Sequence, residues 1–149
     1  RLKPGEYHLV VHIWIISSDG KVLIQRRADT KKLMPGEWAA TGGAAISGED
    51  SFTAAKRELF EELSISSTEE TLKKILRIKR RNSLLDIWFT VCDTPINNLK
   101  LQASEVSEVK LVTEEEFKEM IKNGKFHNYG NEYFTKVFEK IGDFRGVLA

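Results

Sequence analysis

The sequence predicts an α/β (α+β) domain in which a mixed β-sheet lies between helices. Apolar, β-branched segments alternate with amphipathic segments, and strands precede, separate and follow the helices. No segment of the 149 residues is of low complexity, no period repeats, and no linker-like run divides the chain. We therefore expect one domain over residues 1–149.

The first third of the chain predicts a hairpin followed by a loop. Residues 8–16 (HLVVHIWII) are almost continuously apolar, as expected of a strand buried on both faces. The turn signal SSDG over residues 17–20 leads into a second strand over residues 21–27. A polar loop over residues 28–37 then reaches a short segment over residues 38–43 that ends in two glycines.

A helix is predicted next over residues 49–63, because apolar residues recur there at the helical period. These residues are Phe52, Ala55, Leu59 and Leu63. The rest of the chain predicts a second hairpin (residues 72–79 and 84–92), a strand (106–112), a helix (113–121) and a C-terminal amphipathic helix (131–141). Thr113 is the expected N-cap of its helix, with Glu116 at the capping-box position.

Composition excludes several classes of protein. The 23 Lys and Arg residues balance the 22 Asp and Glu residues, so the net charge gives no strong indication of nucleic-acid binding. No apolar run reaches the ~20 residues that a membrane-spanning helix needs, and no signal segment begins the chain. The single cysteine, Cys92, excludes an internal disulfide and suits a reducing compartment. We expect a cytoplasmic location and leave open whether native residues precede Arg1.

Three glutamates of the first helix suggest a metal site. At ~100° per residue, Glu58, Glu61 and Glu62 fall within one arc, away from the apolar stripe. We expect this arc to be exposed, with open space beside it at the small Ala54 and Ala55. Mg²⁺ takes a few such hard carboxylate ligands, keeps waters and uses substrate phosphate for the rest, and Mn²⁺ is an alternative. Arg57 lies four residues before Glu61 and can orient it.

For this acidic run alone, a solvated helix face is the more common explanation. The surrounding residues 43–65 (GAAISGEDSFTAAKRELFEELSI), however, resemble the Nudix box, G-x5-E-x7-R-E-U-x-E-E-x-G-U with U aliphatic. The matching positions are Gly43, Glu49, Arg57, Glu58, Leu59, Glu61, Glu62 and Ile65. Ser64 departs from the pattern, which has glycine there; a left-handed helix end costs serine on the order of 1 kcal/mol more.

The resemblance implies a Nudix-type sheet between helices and hydrolysis of a diphosphate linked to another moiety. It also implies that Glu58 and Glu62 are the principal magnesium ligands, with Glu61 nearby and the Gly43 carbonyl as a further contact. Glu58 or Glu61 is the expected acceptor of the water proton. Glu105 and Glu108 are outside candidates for that role, although surface acids beside a strand are the more common explanation of them.

Residues 8–43 are similar to the isopentenyl-diphosphate isomerase-like branch of this superfamily. His8 occupies the position of one isomerase metal histidine. The isomerase cysteine falls at about Gly42 and the following histidine at Ala44, however, so neither side chain is present. Cys92 is far along the chain and is expected to be a small core residue. The sequence therefore favours hydrolysis over isomerisation.

Substrate contacts outside the box are less specific. Arg26 suits bidentate phosphate recognition, although a solvated strand end is as common. Trp38 could stack on a base or cap the core, and we favour the core slightly. Two basic runs, the pair Lys31-Lys32 and the triplet Lys79-Arg80-Arg81, could contact phosphates. Such runs are more often solvent-exposed residues without a binding role.

The sequence thus predicts a magnesium-dependent hydrolase of a small nucleoside diphosphate derivative. Two alternatives stay open, namely an isomerase of a prenyl diphosphate and a Nudix-like module that binds a nucleotide without turning it over. The identity of the substrate within this class is not predicted. A homodimer is also open, since an apolar C-terminal helix suits a subunit interface as well as a packed core.

Overall fold

The structure is a computed structural model that describes the backbone of residues 8–148 and the side chains of residues 8–143. The strands are β1 (His8–Ile16), β2 (Val22–Arg27), β3 (Trp38–Ala39), β4 (Thr41–Ala44), β5 (Lys73–Lys79), β6 (Ser83–Val91) and β7 (Val106–Val112). The helices are α1 (Ser51–Leu63), α2 (Glu114–Lys122) and α3 (Asn131–Leu148), and a short 3₁₀ turn covers Ile96–Asn98. None of the described helices is long and apolar enough to cross a membrane.

The seven strands form one mixed sheet with β1 at its centre. The order is β3-β2-β1-β6-β5, with β4 also paired to β1 and β7 to β2. β1 and β6 are parallel, and every other pairing is antiparallel. β4 pairs with Val10–Ile13, the first half of β1, while β2 pairs with Ile15 and Ile16 in the second half. This branching places the two glycines of β4 directly beside β1.

Helices cover both faces of the sheet. Because side chains alternate along a strand, β1 sends Val11, Ile13 and Ile15 to one face and Trp14 and Ile16 to the other. The first group packs with α1, and we call that side the α1 face. The second group packs with α2 and α3 through Phe117, Phe134 and Val137, and we call that side the α3 face. The predicted α/β (α+β) fold, a mixed sheet between helices, is confirmed.

Most predicted elements are confirmed, including both hairpins. Thr113 caps α2, and its capping box with Glu116 is complete. α1 begins two residues later than predicted, because the Asp50 side chain accepts from Thr53 N as N-cap. The 3₁₀ turn was not predicted, and α3 is longer than the predicted helix. Cys92 follows the end of β6 and is partly buried, packed against the cluster of the α1 face.

Two expectations about α1 are wrong. Ala54 and Ala55 leave no space beside the glutamates, since both side chains are fully buried in the α1-face cluster. Glu62 is not exposed either, because only 2% of its surface reaches solvent. At the end of the helix Ser64 does adopt the left-handed conformation, with φ 58° and ψ 31°.

Candidate active site

The three box glutamates that lie on α1 differ sharply in exposure. Glu61 has 40% of its side chain exposed, and Glu58 has 13%. Glu62 is buried because its side chain points towards β2 of the sheet, where it contacts Gln25. The cluster therefore runs from solvent into the protein instead of lying on an open surface.

Glu58 packs directly against Gly43 of β4. A Cβ atom built on Gly43 would lie 2.8 Å from Glu58 Oε2 and 2.9 Å from its carboxyl carbon. Such distances are well inside van der Waals contact, so only glycine lets the carboxyl group approach the strand this closely. Any other residue at this position would push the Glu58 carboxyl group away from the strand.

The carboxyl group of Glu62 lies beside that of Glu58. Burial, followed by the neighbouring carboxyl group of Glu58 and its charge, raises the pKa of Glu62 to about 9. Two carboxylates in contact in a partly buried site repel each other unless a proton or a cation lies between them. Glu105 adds negative charge from outside the box.

Arg57 joins the box residues into one network. Its guanidinium donates to both oxygens of Glu49, at 2.7 and 2.9 Å, and to Glu58 at 2.7 Å. It also donates to Glu61 at 3.1 Å and to the Ala44 carbonyl at 3.2 Å. These carboxylates raise the pKa of Arg57 further above its usual range, so it is always charged. The predicted orientation of Glu61 by Arg57 is present, and Glu49 and Glu58 are held in the same way.

Glu62 is held by two residues that the sequence did not indicate. Gln25 Nε2 on β2 donates to Glu62 Oε1 at 3.0 Å, and Thr41 Oγ1 on β4 donates to Gln25 Oε1 at 2.8 Å. All three side chains are buried. A buried glutamine inside an otherwise apolar strand (VLIQRR) was the available signal, because a polar side chain there needs a partner.

Arg26 and Trp38 lie apart from the glutamates. Gln25 points to α1, so its neighbour Arg26 points to the α3 face, where it pairs across the strands with Trp38. Arg26 Nε donates to the Gly36 carbonyl at 3.0 Å. Trp38 packs against the α3-face core with one ring face covered by Lys110 Nζ, 4.6 Å from the ring centre. Their role in substrate binding stays a prediction.

The two acidic candidates outside the box, Glu105 and Glu108, lie in different surroundings. Glu105 forms an ion pair with Lys31 at 2.7 Å and lies near enough to Glu62 to raise its pKa. Glu108 lies 3.9 Å from Arg26 and belongs to the other group. Of the two, Glu105 is the one whose charge reaches the box. His8, at the start of β1, is exposed.

A second group that the sequence did not indicate surrounds His12 of β1. His12 Nδ1 lies 2.7 Å from the Tyr133 hydroxyl, and its ring centre is 5.0 Å from that of Tyr129. Burial, followed by the positive charges of Arg80 and His127, lowers the pKa of His12 to about 3. The imidazole is therefore neutral and available only as a hydrogen-bonding group on the α3 face.

The box has the donor chemistry that a divalent cation requires. The carboxyl groups of Glu58 and Glu62 lie side by side, and Glu61 lies on the same helix one turn after Glu58. All the atoms that could bind the cation are hard oxygens. Among the residues described, no three His, Cys, Asp or Glu side chains already surround one point. Glu58, Glu61 and Glu62 are the residues that would hold a cation here, and the cation would offset the repulsion between their carboxylates.

Comparisons with known proteins agree with this geometry. The family model for the NUDIX domain matches residues 6–131. An uncharacterized Nudix hydrolase of Listeria innocua is 35% identical over 140 residues, which are 93% of this chain and 82% of that protein. An isopentenyl-diphosphate Delta-isomerase of Streptomyces coelicolor is 41% identical, but over only 64 residues, 42% of this chain and 32% of the isomerase.

Solved structures share the fold at low sequence identity. A protein of Deinococcus radiodurans aligns with a TM-score of 0.71 and 22% identity, over 91% of this chain and 86% of its own. The NUDIX domain of NrtR from Shewanella oneidensis, in complex with ADP ribose, aligns with a TM-score of 0.70 and 15% identity, over 95% and 94%. From the box geometry and the match over residues 6–131, we conclude that the chain belongs to the Nudix hydrolase family.

Proposed function

We propose that this protein is a Mg²⁺-dependent hydrolase that cleaves the pyrophosphate bond of a nucleoside diphosphate linked to another moiety. Water attacks one of the two phosphorus atoms, and Mn²⁺ is an alternative cation. The observation that carries the proposal is the contact of the Glu58 and Glu62 carboxyl groups beside Gly43. Nudix family members generally use divalent cations, and these two residues together with Glu61 would hold one here.

The surroundings of each glutamate indicate the role that we assign to it. Glu58 and Glu62 are the less exposed pair and would bind the cation, which polarises phosphoryl oxygens and lowers the pKa of the attacking water. Glu61 is the most exposed of the three, and among the described residues only its Oε1 has a partner, so we assign it the water proton. Arg57 orients Glu58 and Glu61 through hydrogen bonds from its guanidinium to both carboxylates.

The isomerase alternative meets a steric obstacle. A Cβ atom on Gly42 would lie 2.1 Å from the Val11 carbonyl oxygen of the adjacent strand. A cysteine therefore does not fit at this position without moving β4 away from β1. Cys92 cannot replace it, since it follows β6 beside the 3₁₀ turn and packs on the cluster of the α1 face.

The alternative of a binding module without catalysis would take a nucleotide ligand, and the NrtR NUDIX domain was solved in complex with such a ligand, ADP ribose. This alternative is disfavoured by the complete set of box glutamates in this chain. We keep it as the second candidate because the experiment below separates it from the hydrolase.

The first experiment measures phosphate-containing products from nucleoside di- and triphosphates, sugar nucleotides, dinucleotides and prenyl diphosphates, each with Mg²⁺ and with EDTA. Wild type is compared with Glu58→Gln and Glu62→Gln. We expect losses of about 100-fold or more in both variants, because each removes a charged ligand without changing side-chain size. Glu62→Gln keeps an oxygen for the Gln25 N–H, so its fold should persist.

Glu119→Gln, on the exposed side of α2, is the matched control and should keep wild-type turnover. Full turnover of Glu62→Gln, or turnover in EDTA, would show that the metal assignment is wrong. Binding of a nucleotide without any turnover would instead favour the binding module, and interconversion of prenyl diphosphates would favour the isomerase.

A further inference from the structure

A cavity of about 600 Å³ lies on the α3 face, between the end of the β5–β6 hairpin and the start of α3. This volume is within the range typical of small-molecule sites. Its apolar part is formed by Ile78, Leu85, Tyr129 and Tyr133. Side chains of both signs also line it, four cationic and one anionic, namely Arg77, Lys79, Arg80, Lys136 and Glu132. The cavity therefore combines an aromatic surface with an excess of positive charge.

Two of the cations that line this cavity are paired with carboxylates of the described residues. The Arg77 guanidinium binds Asp86 through two hydrogen bonds of 2.6 and 2.9 Å, and Lys136 Nζ lies 2.8 Å from Glu132. Within residues 8–143, Arg80 has no carboxylate partner. Its charge lies near the Tyr129 and Tyr133 hydroxyl groups and lowers the pKa of both, against the larger effect of burial. A guanidinium in this position is available to an anionic ligand.

The cavity is joined to the glutamates through adjacent residues of β4. Gly43 contacts Glu58 on the α1 face, while a Cβ on Gly42 would lie 3.1 Å from the His12 ring. His12 in turn contacts Tyr129 and Tyr133, which line the cavity. The glutamates and the rings of His12, Tyr129 and Tyr133 therefore lie on opposite faces of β4, which among the described strands pairs only with β1. A ligand bound at the box would reach the cavity around the other edge of β4, where the two glycines carry no side chain.

We propose that the cavity holds the end of the substrate remote from the scissile diphosphate, and that this end carries its own phosphate or carboxylate, bound by Arg80. This inference rests on the hydrolase function proposed above and narrows its substrate class to diphosphates with a second anionic group. The ring of Tyr129 and the aliphatic Ile78 and Leu85 supply the surface for the uncharged part of that end. Arg80 is then a specificity-determining residue.

The test uses pairs of substrates that differ by one anionic group. These are UDP-glucuronate against UDP-glucose and NADPH against NADH, with kcat/KM measured at constant ionic strength. We expect at least one pair to show a preference of about tenfold for the charged member in wild type. In Arg80→Ala that preference should fall to within about twofold, because kcat/KM for the charged member falls much more than kcat/KM for the uncharged member. Arg81→Ala is the matched control and should keep the preference, since Arg81 does not line the cavity.

Binding without catalysis keeps the two proposals distinguishable. Titration calorimetry in EDTA compares 2′,5′-ADP with AMP, and we expect tighter binding of 2′,5′-ADP that Arg80→Ala abolishes. This result without hydrolysis of any substrate would support the cavity site and overturn the hydrolase. The inference is overturned if neither the substrate pairs nor the probe pair is discriminated, or if Arg80→Ala leaves the discrimination intact.

Discussion

At the scale of single residues, the sequence predicted which residues form the box but not which of them are buried. Fixed spacing identified Glu58, Glu61, Glu62 and Arg57, because one helix brings these positions together whatever surrounds it. The burial of Glu62 was not predictable in this way, since a helical projection contains no information about the strand that packs over it. Only the structure shows that Gln25, far away in sequence, determines how Glu62 is held.

The Gln25 amide should control the affinity of the site for its cation. In Gln25→Leu the side chain keeps its approximate size but no longer donates to Glu62 Oε1, so the Glu62 carboxylate loses a bond that stabilises its charged form. We expect Mg²⁺ and Mn²⁺ to bind about tenfold more weakly, by calorimetry and by Mn²⁺ spin resonance. Stability should also fall by about 2 kcal/mol, because Thr41 is left with an unsatisfied hydroxyl.

Two further variants separate positioning from general destabilisation. Thr41→Val removes the hydroxyl that orients the Gln25 amide and should weaken cation binding in the same direction by a smaller factor. Ile24→Val, the neighbour on the opposite face, costs about 1 kcal/mol of stability but should leave cation affinity unchanged. Unchanged affinity in Gln25→Leu would mean that the amide only fills space.

At the scale of elements, the predicted and observed boundaries agree wherever a periodic pattern ends at a capping or turn residue. The strand over His8–Ile16 and the capping box of α2 are examples. The 3₁₀ turn over Ile96–Asn98 has no periodic signal because it is a single turn. The end of α1 was uncertain, since Ser64 replaces glycine in the box; the left-handed conformation persists because the serine hydroxyl finds partners.

The Ser64 side chain should offset most of the strain of its own backbone. Ser64 Oγ accepts from Lys100 N at 2.7 Å and donates to the Leu63 carbonyl at 2.6 Å. Ser64→Gly relieves about 1 kcal/mol of left-handed strain but loses hydrogen bonds worth about as much, so we expect a change within about 0.5 kcal/mol. Ser64→Ala keeps the strain and loses the bonds, so it should destabilise by about 1–2 kcal/mol.

Urea unfolding of the three proteins measures these differences. A clear gain of stability in Ser64→Gly would indicate that the hydroxyl contributes nothing to the helix end. Equal stability of Ser64→Ala and wild type would contradict the role of the Lys100 contact in the same experiment.

At the scale of the whole molecule, β1 connects the two faces that the proposed function uses. Val11 pairs with Gly43 beside the glutamates, and the next residue, His12, turns to the tyrosines of the α3 face. His12 and Tyr133 are 121 positions apart, and no local pattern links them. The sheet order and the approach of α3 place them together, which explains why the sequence predicted the box but not the aromatic group.

The burial of His12 should make the stability of the fold depend on pH. His12 has a pKa of about 3 in the folded protein and about 6.5 when unfolded, so between these values the unfolded chain binds more protons. Stability is therefore fully present above pH 6.5 and is lost as the pH falls towards 3. Between pH 6.5 and 5 we expect this group to remove about 1–2 kcal/mol of unfolding free energy.

The prediction is checked by urea unfolding at several pH values in wild type and His12→Asn. Asparagine does not titrate, and its amide can replace Nδ1 as the partner of the Tyr133 hydroxyl. Other titrating groups contribute equally to both proteins, so the difference between the two curves isolates His12. That difference should move in favour of the variant as the pH falls. His8→Asn, at the exposed start of the same strand, should follow wild type. Parallel curves for His12→Asn and wild type would contradict the prediction, because they would mean that His12 binds protons equally in the folded and unfolded states.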